Sequence, residues 1–215
     1  MTREAGFSLI EVLLALSLGL LLVLAGGRVF IGALKSWQAQ EVVATMQEEA
    51  RFVLRRIARD IRMAGAFGCL RQEAMTFAST DVRQAFSQPV MLLRASNGDL
   101  DSLTLISAQA GELGGSPHWT LITDCRSTAQ VLTGHATAGP GMFAIPLRRH
   151  IYRLSDGKLL LSSAGVNANL IGGVERLEVE QAEGILNLSL TLADPRKLVR
   201  SQTYRTAVAL RNGQP

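Results

Sequence analysis

The chain has 215 residues and a formal net charge of +4, so it suits one anchored domain with a real core. The positive excess is mild and dispersed, which argues against a nucleic-acid signature in the overall charge. Its two cysteines, Cys69 and Cys125, are too far apart for a CxxC redox or zinc motif. The chain opens on a short polar leader, Met1-Thr2-Arg3-Glu4-Ala5, which ends in the small residue Gly6. Gly6-Phe7-Ser8-Leu9-Ile10-Glu11 follows and leads into an apolar run from Val12 to Gly27 without a charge. A carboxylate at bilayer depth costs roughly 2.5 kcal/mol or more, so Glu11 is a functional residue by default and needs a partner. Cutting after Gly6 would free an amine on Phe7, close enough to pair with Glu11 of its own or a neighbouring chain. Losing Arg3 and Glu4 together removes one charge of each sign and leaves the balance unchanged.

Residues 7–34 are apolar apart from Ser8, Glu11, Ser17 and Arg28, long enough to span ~30 Å of hydrocarbon. A secretory signal peptide fits poorly, because no small-x-small site follows the run and the chain continues helical. Gly19, Gly26 and Gly27 each weaken the helix by about 1 kcal/mol relative to Ala. They suit either local loosening in a fibre or close packing through small residues.

No proline interrupts the chain between Phe7 and Ala64. Val43, Met46, Ala50, Val53, Ile57, Ile61 and Ala64 recur at spacings of three and four and predict one apolar stripe of a helix. Glu48, Glu49, Arg51, Arg55, Arg56, Arg59 and Asp60 fall largely off that stripe. Glu48–Arg51 and Arg56–Asp60 stand at helical pairing distance. Gly65 is a natural stop. A single helix from Phe7 to Ala64 would be ~87 Å long.

The rest reads as β. Pro89–Arg94, Ser102–Ser107 and Trp119–Thr123 are short strand candidates. Ile151–Leu154 and Lys158–Leu161 flank Ser155-Asp156-Gly157, a strong hairpin signal. Val174–Glu180 alternates, with Leu177 and Val179 on one face and Glu178 and Glu180 on the other. Leu186, Leu188, Leu190 and Leu192 alternate with polar residues as a half-buried antiparallel strand, and Thr203–Leu210 is a final strand against it. Ala110–Pro117 and Gly134–Gly141 read as Gly-rich loops. With the head outside the cytoplasm, Cys69 and Cys125 read as one disulfide worth roughly 4 kcal/mol; the bland alternative is two buried free thiols.

No catalytic constellation emerges, and neither a cofactor nor a metal is expected. His118, His135 and His150 are dispersed and read as surface or turn residues. Ser155-x-x-Lys158 reads as a turn, not a Ser-Lys dyad. Ser96-Asn97-Gly98-Asp99-Leu100-Asp101 lacks the ligand count of a calcium loop and also reads as a turn. An Arg cluster would indicate a DNA- or surface-binding module; Arg148-Arg149 and Arg205-Arg211 are the candidates.

GFSLIE, from Gly6 to Glu11, resembles the type IV prepilin motif at every informative position. That resemblance implies cleavage by a prepilin peptidase between Gly6 and Phe7, N-methylation of Phe7, and a docking role for Glu11 in assembly. It implies an α+β pilin-like fold, a long N-terminal helix packed on an antiparallel β-sheet head. The corresponding division is a leader over residues 1–6, a transmembrane or fibre-core helix half over 7–34, and a periplasmic head over 35–215. The head includes the amphipathic helix half, to about residue 64.

Asp60-Ile61-Arg62-Met63-Ala64-Gly65-Ala66-Phe67-Gly68-Cys69 resembles the helix-end segment of the PilW family of minor pilins. Thr123-Asp124-Cys125 looks like that family's second cysteine, and Gly172-Gly173-Val174-Glu175-Arg176-Leu177-Glu178-Val179 resembles its late strand. Gln181-Ala182-Glu183-Gly184 departs from the aromatic-Gly pair expected there, which leaves that turn open. The resemblance implies a non-enzymatic subunit of the bacterial inner membrane, single-pass with a periplasmic head, that moves to the pilus tip. It implies other minor pilins, the major pilin, the inner-membrane assembly platform and a tip adhesin as partners. It implies roles in pilus initiation, twitching motility and adhesion, and no specific nucleic acid. The J-component type of type II secretion pseudopilin shares the anchor and the β-rich head and is the alternative.

Overall fold

An unbroken helix, α1, runs from Leu9 to Met63 in the computed structural model, which describes residues 8–96, 98–108 and 115–212. The chain divides into two units, Met1–Thr45 and Met46–Pro215. In the first unit every large apolar side chain from Leu9 to Leu34 is exposed. A Cβ added at Gly19, Gly26 or Gly27 would meet nothing within 4 Å, so within this chain these glycines mark no close packing.

The second unit begins inside α1 and buries one face of it. Met46, Ala50, Val53, Leu54, Ile57, Ala58, Ile61 and Ala64 are buried, with Ala50, Val53, Ile57 and Ile61 fully so. This is the expected stripe with two corrections. Val43, which lies in the first unit, is exposed. Asp60, expected off the stripe, is buried on it, because residue 60 follows Ile57 by three and precedes Ala64 by four. The helix stops at Gly65, whose φ of 78° is the left-handed conformation of a C-terminal cap. Its N–H donates to the Ile106 carbonyl at 3.0 Å, and Ala108 N–H donates to the Ala66 carbonyl at 2.7 Å. From the other end of the chain, Asn212 Nδ2 donates to the Ala64 carbonyl at 3.2 Å and covers one orphan acceptor.

A 3-10 turn at Gln72–Ala74 leads to strand β1 (Thr76–Phe77) and helix α2 (Thr80–Ser87). Strands β2 (Val90–Arg94), β3 (Leu100–Ala108), β4 (Trp119–Thr123), β5 (Ala129–Thr133), β6 (Phe143–Ser155), β7 (Lys158–Ser163) and β8 (Val166–Ile171) complete an eight-stranded sheet. Its main path is β1-β5-β4-β6-β3-β2, with β7 on β6 and β8 on β7. All pairs are antiparallel except β1 with β5, which is parallel. A second, three-stranded antiparallel sheet holds β9 (Val174–Ala182), β10 (Ile185–Leu192) and β11 (Gln202–Ala209) in the order β11-β10-β9. Leu177 and Val179 of β9 and the four leucines of β10 form its buried rows, as the alternation predicts.

Three two-residue hairpins share one turn chemistry. Asp156-Gly157, Ala164-Gly165 and Glu183-Gly184 all have positive φ at both residues, the signature of type I′ turns. The first matches the expected Ser155-Asp156-Gly157 hairpin, with Ser155 paired to Lys158. The third answers the turn left open by the sequence: Ala182 pairs with Ile185, so Glu183-Gly184 closes a tight hairpin. The Ser96–Asp101 segment, of which Asn97 lies outside the described residues, joins β2 to β3. There Ala95 N–H donates to the Asp99 carbonyl at 2.9 Å. Most of the Ala110–Pro117 loop lies outside the described residues.

Candidate functional site

Two places carry residues singled out by sequence. The first is the start of α1. Gly6 and Phe7, the expected cleavage and methylation positions, lie outside the described residues. Ser8 begins the helix: its carbonyl accepts from Glu11 N–H at 3.0 Å and from Val12 N–H at 3.2 Å. Glu11 therefore sits in the first turn, where the positive end of the helix dipole favours a carboxylate. It borders an open apolar groove along one helix face, lined by Val12, Ala15, Leu16, Gly19, Leu20 and Val23. Ser17 satisfies its hydroxyl internally by donating to the Leu14 carbonyl at 2.9 Å, which leaves Glu11 as the only charged side chain from Leu9 to Gly27. Among the described residues one helix, α1, is long and apolar enough to cross a membrane.

The second place is where α1 enters the head. Phe67, Gly68 and Cys69 act as three successive fasteners. Phe67 is buried and its ring lies 4.5 Å from that of Phe86, which in turn meets Phe77 at 5.4 Å and Trp119 at 5.2 Å. A Cβ on Gly68 would come within 2.6 Å of Leu121 Cδ2, so any larger residue there must displace that side chain of β4. Cys69 is joined to Cys125 in a disulfide, with Cα atoms 5.3 Å apart.

The loop around Cys125 is organised by its neighbours. Asp124 Oδ1 accepts from the backbone N–H groups of Arg126, Ser127 and Thr128 at 2.8–2.9 Å. Those donors, led by Thr128, hold the Asp124 carboxyl well below the ordinary carboxylate range. Thr123 Oγ1 accepts from Cys125 N–H at 3.0 Å and donates to the Thr128 carbonyl at 2.7 Å. Cys125 itself takes a φ of 58°, a left-handed conformation that this network holds in place.

Sequence reasoning missed a buried polar group between α1 and β6. Asp60 accepts a hydrogen bond from the Tyr152 hydroxyl at 2.5 Å, and His150 Nδ1 lies 3.5 Å from the same carboxylate oxygen. His150 is thus neither a surface nor a turn residue; it faces inward on β6 and is buried. Burial lowers its pKa, the Asp60 charge opposes that, and Arg56 and Arg148 add to the lowering. Burial, then Asp60, pushes the Tyr152 hydroxyl far above its ordinary value. The expected Glu48–Arg51 and Arg56–Asp60 ion pairs are absent among the described residues. The only sequence signal for this group was Asp60 standing at a stripe position.

The other candidates resolve separately. His118 Nδ1 accepts from Arg149 N–H at 3.2 Å, and burial lowers its pKa. His135 is exposed. Arg148 is buried with Nη2 2.6 Å from the Gly115 carbonyl, and Arg149 stacks 5.0 Å from the Trp119 ring, so this pair forms no exposed basic patch. Among the described residues no group of three or more His, Cys, Asp or Glu side chains could hold a metal ion.

Residues 1–27 match the family described as the prokaryotic N-terminal methylation motif. The chain is also 32% identical over 103 residues to the pilin-like protein PilA3 of Thermus thermophilus. That match covers 47% of this chain and 41% of PilA3, so the chain spans less than half the length of the curated relative it matches. No solved structure matches it. Motif, relative and architecture together support a type IV pilin-like protein whose apolar N-terminal helix fits a membrane anchor.

Proposed function

We propose that this chain is a minor pilin of the PilW type, a non-enzymatic subunit that helps to initiate a type IV pilus. The observation that carries the reading is Glu11, a lone carboxylate in the first turn of an exposed apolar helix that leads into a disulfide-closed β head. Prepilin peptidase cuts between Gly6 and Phe7 and methylates the Phe7 amine. The subunit then waits in the bacterial inner membrane with its head in the periplasm. On assembly the helix leaves lipid for a bundle of like helices, and Glu11 pairs with the Phe7 amine of an adjacent subunit. In a low dielectric such a pair holds only if both partners are present, which makes Glu11 a register device. Other minor pilins and the major pilin are the neighbours, the inner-membrane platform drives assembly, and the complex sits at the fibre tip beneath an adhesin.

A J-type pseudopilin of type II secretion shares the anchor, the processing and the β-rich head. Deleting the gene and scoring surface pili and secreted enzymes in one strain separates the two. Lost pili and twitching with intact secretion is the expected result. Lost secretion with intact pili overturns the pilus role and moves the chain to the pseudopilin class.

A further inference from the structure

The head carries a basic surface along the C-terminal part of α1. Arg51, Arg55, Arg59 and Arg62 follow one another along α1 at steps of four, four and three residues, about 4.5–6 Å apart along the axis. All four are exposed. The fold adds Arg205 of β11, which lines one concavity with Arg51, Arg55 and Arg62. On the other side of Arg51 and Arg55 a second concavity holds Arg59 and Phe52, a residue that is 57% exposed. None of these five arginines has a carboxylate oxygen within 4.0 Å among the described residues. Of the sequence candidates only Arg205 belongs to this surface.

From this juxtaposition of five unneutralised guanidinium groups and an exposed aromatic ring, we infer that the α1–β11 face of the head binds single-stranded nucleic acid without sequence preference. Guanidinium forks match phosphate oxygens bidentately, and a ring between cations is the stacking platform that single strands use. The relief suits a chain lying across two hollows with cations on both walls. A partner helix is a poorer occupant, because helix packing needs an apolar seam and interface cores are depleted of charge. Here Phe52 is the one exposed apolar side chain among the arginines. Glu48 borders the second hollow and limits the anion track to the Arg51–Arg62 stretch.

The test uses the full-length protein in nonionic detergent and a fluorescein-labelled thymidine 20-mer, read by anisotropy. Binding is expected to weaken with salt. Arg51→Gln/Arg55→Gln/Arg59→Gln should lower affinity at least tenfold and flatten the log–log salt slope by about 2, at about 0.7 per phosphate contact. Phe52→Ala should lower affinity for the single strand by about fivefold or more and leave duplex binding unchanged. The charge-matched control Arg126→Gln/Arg196→Gln/Arg200→Gln, all exposed elsewhere on the head, should bind as the parent does. Circular dichroism checks that each variant is folded. No binding at low salt overturns the inference, as does equal loss in the control. Full competition by polyglutamate, or binding confined to anionic vesicles, also overturns it and assigns the face to an acidic protein or to lipid. None of these readouts depends on pili, so the inference and the proposed role fail separately.

Discussion

At the scale of single residues, the structure turns on polar groups placed where the hydrophobic pattern expects apolar ones. Asp60 shows why such residues escape sequence reading. Its position is legible from the spacing, but an aspartate there makes sense only with Tyr152 and His150, which lie far along the chain and reach it through β6. A buried carboxylate without donors would cost several kcal/mol, so the tyrosine hydroxyl is what permits it. The arrangement has a pH consequence. The folded His150 resists protonation, while the unfolded chain takes up a proton near the ordinary value of 6.5. Stability is therefore fully present above that value and falls as pH drops below it, by at most about 1.4 kcal/mol per pH unit for this group. His118 acts in the same direction, since its pKa is also lowered. Denaturant unfolding of the full chain at several pH values should show stability falling from about pH 6.5 downward. His150→Gln should give a shallower fall. Identical slopes in the two proteins would contradict the role assigned to His150.

At the scale of elements, strands with clean alternation and tight turns were readable and irregular ones were not. The buried rows of β9 and β10 follow directly from alternation, and the β6–β7 hairpin from Asp156-Gly157. The first half of β6 was hidden by Pro146, because proline ordinarily demotes a run to an edge. Here it pairs with Thr120 inside the sheet. Strand β8 is rich in polar residues, with Asn167 and Asn169 breaking the hydrophobic signal. Helix α2 was missed although its signals are present: Ser79 caps it by accepting from Val82 N–H at 3.3 Å, and Val82 and Phe86 are buried four residues apart. Eight residues are too few for periodicity to stand out. The Phe67-Gly68-Cys69 segment was legible as a motif, but its reason is steric and appears only in the fold. Gly68→Ala should destabilise the head by about 1–3 kcal/mol through contact with Leu121, with the disulfide intact. Thermal unfolding checks this; an unchanged midpoint would show that β4 yields freely.

At the scale of the whole molecule, the fold class was readable and the topology was not. The apolar start, the amphipathic continuation and the alternating strands define a long helix and a β head by local pattern alone. Sheet order depends on pairings across large sequence distances, such as β1 with β5 in parallel and β3 with β6, and on the split into two sheets. Local patterns do not encode these. The basic surface has the same origin: the helical arginines can be counted in the sequence, but Arg205 reaches them only through the fold. The proposed role in assembly rests instead on the start of the chain, and Glu11 is its most exposed point. The deciding measurement is to complement a deletion strain with the wild-type gene, Glu11→Ala or Glu11→Asp, and to count surface pili by electron microscopy. Membrane fractions are probed in parallel for the inserted protein. A Glu11→Ala protein that is inserted in normal amount but restores few or no pili, with partial rescue by Glu11→Asp, is the predicted result. Normal piliation by inserted Glu11→Ala would contradict it.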